Sequence, residues 1–185
     1  MTISDIHEED RPDAPPRPRW AQQSDLLRDY YDTEWGFPTS DSQQIFELIV
    51  LEGFQSGLSW ETVLRKRPAF REAFAGFDPH IIAEFTDDDV ARLLDNPGII
   101  RNERKIRAAI TNARATVALE ASGVDLGELV WSFAPDNPYE PGPEAGQSAE
   151  SSALAKELKH RGFTFVGPVT MFALMQAIGM YDHRL

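Results

Sequence analysis

Glu52 is the residue whose type and position in this sequence most strongly suggest chemistry. It continues the apolar face formed by Ile45, Leu48 and Ile49 on a predicted helix, so its carboxylate is expected to point inward. Burying an unpaired carboxylate is costly in free energy. The pattern alone supports two interpretations equally: a structural glutamate paired with an arginine or a helix end, or a pocket carboxylate with a perturbed pKa.

Two glycines near this carboxylate favour the pocket interpretation. Gly53 and Gly57 are expected to end the helix and to let a ligand approach the backbone. Aromatic residues at helical spacing more often belong to a core than to a binding site. They could nevertheless form stacking walls for a flat cationic ligand, each face contributing about 1–3 kcal/mol. The candidates are Trp20, Tyr30, Tyr31, Trp35 and Trp60.

A second motif, LLDNPGIIRNERKI at positions 93–106, predicts a hairpin of two helices. A tight turn containing glycine, followed by a helix with basic residues in its first turn, presents backbone N–H groups and cations to one phosphate. Such a hairpin holds the DNA backbone without reading its sequence. The motif alone is only moderately specific, because many helix pairs turn at Pro-Gly.

The charge distribution is compatible with a nucleic-acid partner although the net charge is −12. Phosphate binding depends on local potential, so an acidic protein can still have a basic face. Solvated helix faces are the simpler explanation from charge alone. Twelve of the eighteen basic residues fall in three clusters: Arg65, Lys66, Arg67 and Arg71; Arg101, Arg104, Lys105, Arg107 and Arg114; Lys156, Lys159 and Arg161.

The segments that carry these residues are predicted to be helices, and the predicted class is all-α. Residues 1–18 hold four prolines and predict a disordered acidic tail; residues 19–185 predict one helical domain with an irregular excursion at 134–150. Predicted helices include about 102–121, 152–161 and about 168–180. Predicted helix starts are Ser24, Asp41, Ser59, Asp78 and Thr86.

Other features exclude whole classes of function. The chain has no cysteine, so disulfides, zinc thiolate sites and thiol chemistry are excluded. No apolar run approaches the ~20 residues needed to cross a bilayer, and the start lacks a secretory signal. We therefore expect a cytoplasmic protein without a membrane partner.

The motifs together resemble the bacterial 3-methyladenine DNA glycosylase I family, in the family's usual order. The resemblance covers roughly residues 18–183 and is interrupted at 134–150. The most specific combination is EWG, LEGFQSGLSW and RGFTFVG. The motifs are YYDTEWG, LEGFQSGLSWETVLRKR, FDP, GIIRNERKI, WSF, LKHRGFTFVG and MQAIG.

This resemblance implies a helix-hairpin-helix glycosylase fold and removal of 3-methyladenine from alkylated double-stranded DNA. By position, Glu52 matches the carboxylate that contacts the flipped base. The loop at Gly57 and Leu58 matches the one that fills the gap left by the extruded nucleotide. The implied base pocket consists of Tyr30, Trp35 and Trp60, with Trp20 beside it, and the implied DNA-gripping hairpin includes Gly98, Arg101, Asn102 and Lys105.

The implied chemistry agrees with the physical interpretation of Glu52. Methylation at N3 makes adenine cationic and already a good leaving group, so modest stabilisation suffices, at about 1.4 kcal/mol per tenfold in rate. The free-energy cost of flipping the nucleotide out of the duplex is partly offset by contacts of the wedge residue and of the phosphates. Water is the expected nucleophile, and with four lysines in the chain and none in the pocket, a Schiff-base lyase activity is not expected. We expect a monofunctional, monomeric enzyme without a cofactor.

The sequence departs from the family at its zinc site. Typical members join their termini with a zinc bound by two cysteines and two histidines. Here Pro18 and Tyr31 stand at two ligand positions, the last cysteine has no counterpart before Leu185, and only His183 remains. One residue cannot replace four ligands. We expect no metal, with Tyr31 packed against the C-terminal segment and His183 hydrogen-bonded.

Two other functions stay open at this point. The chain could be a non-catalytic helix-hairpin-helix DNA-binding paralogue, although such a module would not need Glu52, Tyr30 and Trp60 together. It could also be a base-excising enzyme with a shifted substrate range. Release of bases from methylated DNA distinguishes these alternatives.

Overall fold

The structure is a computed structural model that describes residues 16–184. Every regular element in that range is a helix, as the all-α prediction expects. The α-helices are α1 (Asp25–Thr33), α2 (Ser42–Gln55), α3 (Trp60–Ala73), α4 (Pro79–Ala83), α5 (Asp87–Leu94), α6 (Glu103–Ala121), α7 (Leu126–Trp131), α8 (Ala149–His160) and α9 (Pro168–Ala177). Short 3-10 helices lie at Arg19–Gln22, Ala75–Phe77 and Pro143–Ala145.

The predicted tail lies mostly outside the described residues, which begin at residue 16. Its end is attached to the domain, because Arg17 donates hydrogen bonds of 2.7, 2.8 and 3.1 Å to the carboxylate of Asp32 in α1. The predicted excursion is irregular from 134 to 148 apart from one 3-10 turn. It ends at Ser148, where a capping box with Ser151 starts α8 earlier than predicted.

Side-chain caps start most of the helices where the sequence predicts. Ser24, Asp41, Ser59 and Asp78 each accept a hydrogen bond from a backbone N–H of the first turn, and Thr86 forms a capping box with Asp89. Helix α7 was not predicted from the sequence, because six residues are too few for a periodic pattern to emerge.

The central element is α2, which packs against α3, α6, α7 and α9. Its residues from Ile45 to Phe54 are all buried, so this part of the helix has no solvent face. The helix continues to Gln55, so the expectation that Gly53 ends it is wrong. Burial and helical hydrogen bonding outweigh the ~1 kcal/mol by which glycine weakens a helix. Gly57, at φ 80°, lies in the turn that follows.

The predicted hairpin is formed by α5 and α6, which pack against each other and are joined through the turn at Gly98. The Asn96 side chain closes the turn by accepting a 2.8 Å hydrogen bond from the backbone N–H of Gly98. Asn102 caps α6 by accepting from the backbone N–H of Lys105 at 3.1 Å. Within residues 16–184, none of the helices is long and apolar enough to span a bilayer.

Candidate active site

Four predicted pocket aromatics come together in one cluster. The first 3-10 helix contributes Trp20, α1 contributes Tyr30, the turn after α1 contributes Trp35 and the first residue of α3 is Trp60. The ring centre of Trp20 lies 5.4 Å from that of Trp35 and 6.4 Å from that of Tyr30. Tyr30 lies 5.7 Å from Trp60. The contacts among these four rings are edge-on or tilted, whereas the ring of Trp35 also stacks on that of Tyr31, 5.6 Å away.

Glu52 lies on α2 beside this cluster and is only 7% exposed. Within the described part of the chain, no hydrogen-bond donor or cation pairs with its carboxyl group. Burial without a partner raises the pKa of Glu52 to about 8. Burial raises the pKa of Tyr30 as well, and the charge of Glu52 raises it further, which indicates that the two groups are neighbours.

The aromatic cluster contains a second polar group without a partner. The indole Nε1 of Trp60 is buried and has no acceptor among the residues that the structure describes. Buried polar groups are nearly always hydrogen-bonded, so each exception requires an explanation. An unpaired carboxyl group and an unpaired N–H at one aromatic cluster are typical of a site that a polar, planar ligand completes.

An ion-pair network holds the three helices that carry the pocket residues. Arg67 of α3 donates to both carboxylate oxygens of Glu34, at the end of α1, at 2.7 and 2.8 Å. It also donates to Glu47 of α2 at 2.7 Å, and Arg71 donates to the same carboxylate at 2.8 Å. Arg67 is buried, so its assignment to an exposed basic cluster is wrong; two carboxylates compensate its burial.

The loop after α2 presents the predicted wedge. Gly57 has a φ of 80°, which glycine adopts without strain, and Leu58 beside it is 40% exposed. An exposed leucine at the tip of a tight turn suits insertion between bases. Gly57 and Leu58 therefore occupy positions compatible with the role that the resemblance implies.

Lys105 connects the hairpin to this loop. Its ammonium group donates to the backbone carbonyl oxygens of Phe54 at 2.8 Å and Ser56 at 2.7 Å, the last residues before Gly57. Of the other predicted hairpin residues, Arg101 is exposed and Asn102 is engaged as a cap. Lys105 was predicted to bind DNA as part of the hairpin, and no local pattern in the sequence indicates contacts with carbonyl groups about fifty positions away.

The C-terminal segment closes the other side of the aromatic cluster. The guanidinium of Arg184 lies 4.4 Å from the ring centre of Tyr31 and 4.2 Å from that of Phe37. It donates to the backbone carbonyls of Tyr31 (2.6 Å) and Trp35. Glycine suits position 36, because its φ is 78° and a Cβ atom would lie 2.8 Å from the Arg184 side chain. The expected packing of Tyr31 against this segment is confirmed; Arg184 was missed.

The residues at the family's zinc positions do not fit a metal. The two ring nitrogens of His183 lie 3.0 Å from the side-chain amide of Gln176 and 3.0 Å from the carbonyl oxygen of Pro141. Tyr31 is covered by Arg184. Residues 16–184 contain no group of three or more histidine or carboxylate side chains placed to hold a metal ion.

Comparison with known proteins adds independent evidence. The model of the Methyladenine glycosylase family matches residues 20–185. The DNA-3-methyladenine glycosylase of Haemophilus influenzae is 43% identical over 171 residues, which cover 90% of this chain and 92% of the relative. DNA-3-methyladenine glycosylase 1 of Escherichia coli is 44% identical over 170 residues, covering 89% of this chain and 91% of the relative.

Structural comparison leads to the same family. A crystal structure of 3-methyladenine DNA glycosylase I superposes with a TM-score of 0.85 at 44% sequence identity, covering 92% of this chain and 96% of the other. This agreement confirms the fold that the sequence motifs imply.

Proposed function

Because the chain belongs to the methyladenine glycosylase family, we propose that it hydrolyses the N-glycosidic bond of 3-methyladenine in alkylated DNA. The observation that carries the proposal is the unpaired, buried carboxyl group of Glu52 beside the cluster of Trp20, Tyr30, Trp35 and Trp60. A planar cation fits both features, because aromatic faces attract cations and a carboxylate stabilises positive charge.

Glu52 would act as a selector of charge. Its pKa of about 8 means that the carboxyl group is mostly protonated in the free protein at neutral pH. A cationic base beside it favours the carboxylate, so the proton is released to solvent as the lesion binds. Uncharged adenine provides no such attraction and would leave the carboxyl group protonated. Selection therefore comes from a charge that only the methylated base carries.

Bond cleavage then needs little further assistance. A water molecule attacks the sugar carbon and gives up a proton to solvent as the N-glycosidic bond breaks, and the electron pair of that bond neutralises the positive charge of the departing base. Because the base leaves as a neutral molecule, no side chain has to protonate it. The protein contributes a flipped, oriented base and electrostatic stabilisation, which is differential binding of the transition state.

Base release from methylated DNA tests the proposal. We expect the wild-type protein to free 3-methyladenine, identified by chromatography. Glu52→Gln and Trp60→Ala should each lower the rate about 100-fold, equivalent to about 2.7 kcal/mol of transition-state stabilisation. The exposed residue Tyr139 provides a control, and Tyr139→Ala should leave the rate unchanged.

Two results would contradict the proposal at different levels. Wild-type protein that binds DNA but releases no methylated purine is a binding paralogue. If Glu52→Gln and Trp60→Ala released the base at the wild-type rate, the protein would still be a glycosylase, but its base-binding site would lie elsewhere. A wider set of released bases would identify a shifted substrate range.

We further propose that the chain acts as a monomer on double-stranded DNA in the cytoplasm. All the pocket side chains come from one chain, and the wedge and hairpin are linked through Lys105. Measurement of molar mass in solution with and without duplex DNA tests the monomer, and preference for duplex over single-stranded substrate tests the DNA form.

Salt dependence distinguishes phosphate contacts from structural contacts in the hairpin. Loss of one phosphate contact changes the slope of log affinity against log salt by about 0.9. We expect Arg101→Gln to reduce the slope by about this amount. Lys105→Gln should weaken binding without changing the slope, because Lys105 holds carbonyl oxygens of Phe54 and Ser56. An equal change of slope in both variants would make Lys105 a phosphate ligand.

A further inference from the structure

Phe165, in the loop between α8 and α9, has a backbone conformation that is unfavourable for its type. Its φ is 57°, in the left-handed region that bulky residues rarely occupy. Phe77 has a similar φ of 58°, but its ring is fully buried and stacks 5.9 Å from that of Phe74. Phe165 is instead 36% exposed. Core packing therefore accounts for Phe77 and only partly for Phe165.

Hydrogen bonds from α6, the second helix of the hairpin, hold the backbone next to Phe165. Asn112 of α6 is buried, and its side-chain oxygen accepts from the backbone N–H of Thr164 at 2.7 Å. Its amide nitrogen donates to the carbonyl oxygen of the same residue at 3.0 Å. Both backbone polar groups immediately before Phe165 are fixed by one side chain. Strain maintained by surrounding structure in this way is concentrated at functional sites.

Phe165 lies beside the functional end of α2. It lines a cavity of about 10 Å³ together with Gly53, the neighbour of Glu52, and Lys105. Lys105 in turn holds the last carbonyl groups before the loop of Gly57 and Leu58. Exposed apolar side chains, Leu58 and Phe165, thus border the same helix end, and one hairpin helix anchors both loops.

We propose that Phe165 is a second DNA-contacting residue, whose ring stacks on a base left exposed when the damaged nucleotide leaves the helix. The inference rests on the proposed function, which requires such an extruded nucleotide. Base–aromatic stacking is indifferent to sequence, since every base has a π-face, and so suits an enzyme that must act anywhere in a genome. A rigid, pre-positioned ring also loses little conformational freedom on binding.

The test separates stacking from folding by replacing Phe165 with residues that accept its backbone conformation. Phe165→Gly and Phe165→Asn both tolerate a positive φ, so neither variant should unfold. Affinity is measured for a duplex containing a stable abasic-site analogue and for the same duplex undamaged. Binding of free 3-methyladenine is followed by tryptophan fluorescence. Tyr139→Asn, at an aromatic residue that is 64% exposed, is the matched control.

We expect both Phe165 variants to lose about 10-fold to 100-fold in affinity for the abasic duplex. Affinity for undamaged duplex and for the free base should match wild type, because neither requires an unstacked base in the DNA. The Tyr139→Asn variant should bind all three ligands normally. The Phe165 variants would then discriminate less well than wild type between abasic and undamaged duplex.

Other patterns overturn the inference. Wild-type affinity of Phe165→Gly for the abasic duplex, an equal loss on both duplexes, or a lower melting temperature in both variants would make Phe165 a structural residue. These results remain distinct from failure of the proposed function, because that failure is absence of base release by the wild-type protein.

Discussion

Helix α2 carries two buried glutamates with opposite surroundings. Glu47 is 6% exposed and Glu52 is 7% exposed, so water reaches both carboxyl groups equally little. Glu47 accepts hydrogen bonds from Arg67 at 2.7 Å and from Arg71 at 2.8 Å. Glu52 has no such partner within residues 16–184. The same residue type at the same depth therefore has its charge compensated at one position and uncompensated at the other.

The difference shows how a stable helix can support a reactive position. The paired glutamate fixes α2 against α1 and α3 through Arg67. That fixed frame holds the unpaired glutamate in a place where burial alone raises its pKa to about 8. A ligand that brings positive charge can then supply what Arg67 supplies to Glu47.

Removal of the paired carboxylate should have the largest effect on stability. Glu47→Ala deprives the buried guanidinium of Arg67 of one of its two partners, and breaking a buried pair costs about 3–5 kcal/mol. Urea denaturation measures the loss. Glu72→Ala, at an exposed position of α3, should change stability by less than about 0.5 kcal/mol. A loss below 1 kcal/mol in Glu47→Ala would refute the bracing role of this network.

Removal of the unpaired carboxylate of Glu52 should instead increase the free energy of unfolding at alkaline pH. The folded-state pKa of Glu52 is raised from 4.5 to about 8, so the folded protein binds the proton more tightly than the unfolded chain does. Wild-type stability should therefore fall, relative to Glu52→Gln, as pH rises between these values, by about 1.4 kcal/mol per pH unit.

The comparison of unfolding free energies at pH 5 and pH 8 checks this expectation. Glu52→Gln should be more stable than wild type at pH 8 and nearly equal to it at pH 5. If the free energy of unfolding depended on pH in the same way in both proteins, burial would not raise the pKa of Glu52. The same variant should release 3-methyladenine about 100-fold more slowly, so stability and activity would change in opposite directions.

The smallest expected effect concerns the outer partner of Glu47. Arg71 is half-exposed, and an exposed ion pair contributes at most about 1 kcal/mol. Arg71→Ala should therefore destabilise the protein far less than Glu47→Ala, as thermal unfolding would show. Equal losses would mean that Arg71, and not Arg67, carries the interaction.

Periodicity and motif spacing predicted much of the site from the sequence. The apolar stripe placed Glu52 inward, capping residues located the helix starts, and the Pro-Gly turn predicted the α5–α6 hairpin. The burial of Glu47 was not predicted, because a stripe argument assumes one solvent face and α2 has none between Ile45 and Phe54. Local sequence patterns predict a residue's environment correctly where that environment depends on residues nearby in the chain.

Contacts between distant segments account for the rest. In the sequence Arg67 resembles a surface base, but in the structure it is paired with the carboxylates of Glu47 and Glu34. Lys105 resembled a phosphate ligand, yet its partners are carbonyl groups at the end of α2. Arg184 carried no sequence signal, since its role depends on two rings about 150 residues earlier. Such pairings belong to the tertiary fold and leave no local trace.

The Arg184 contact also bears on how the protein survives the conditions in which it would work. Methylating agents that damage DNA also attack thiolates, which are the strongest nucleophiles among protein side chains. This chain has no cysteine, and its C-terminal segment is fastened by a guanidinium, aromatic rings and carbonyl oxygens, all weak nucleophiles. Under the proposed function, the contacts of Arg184 with Tyr31, Phe37 and Trp35 do not react with the reagents that create the lesion.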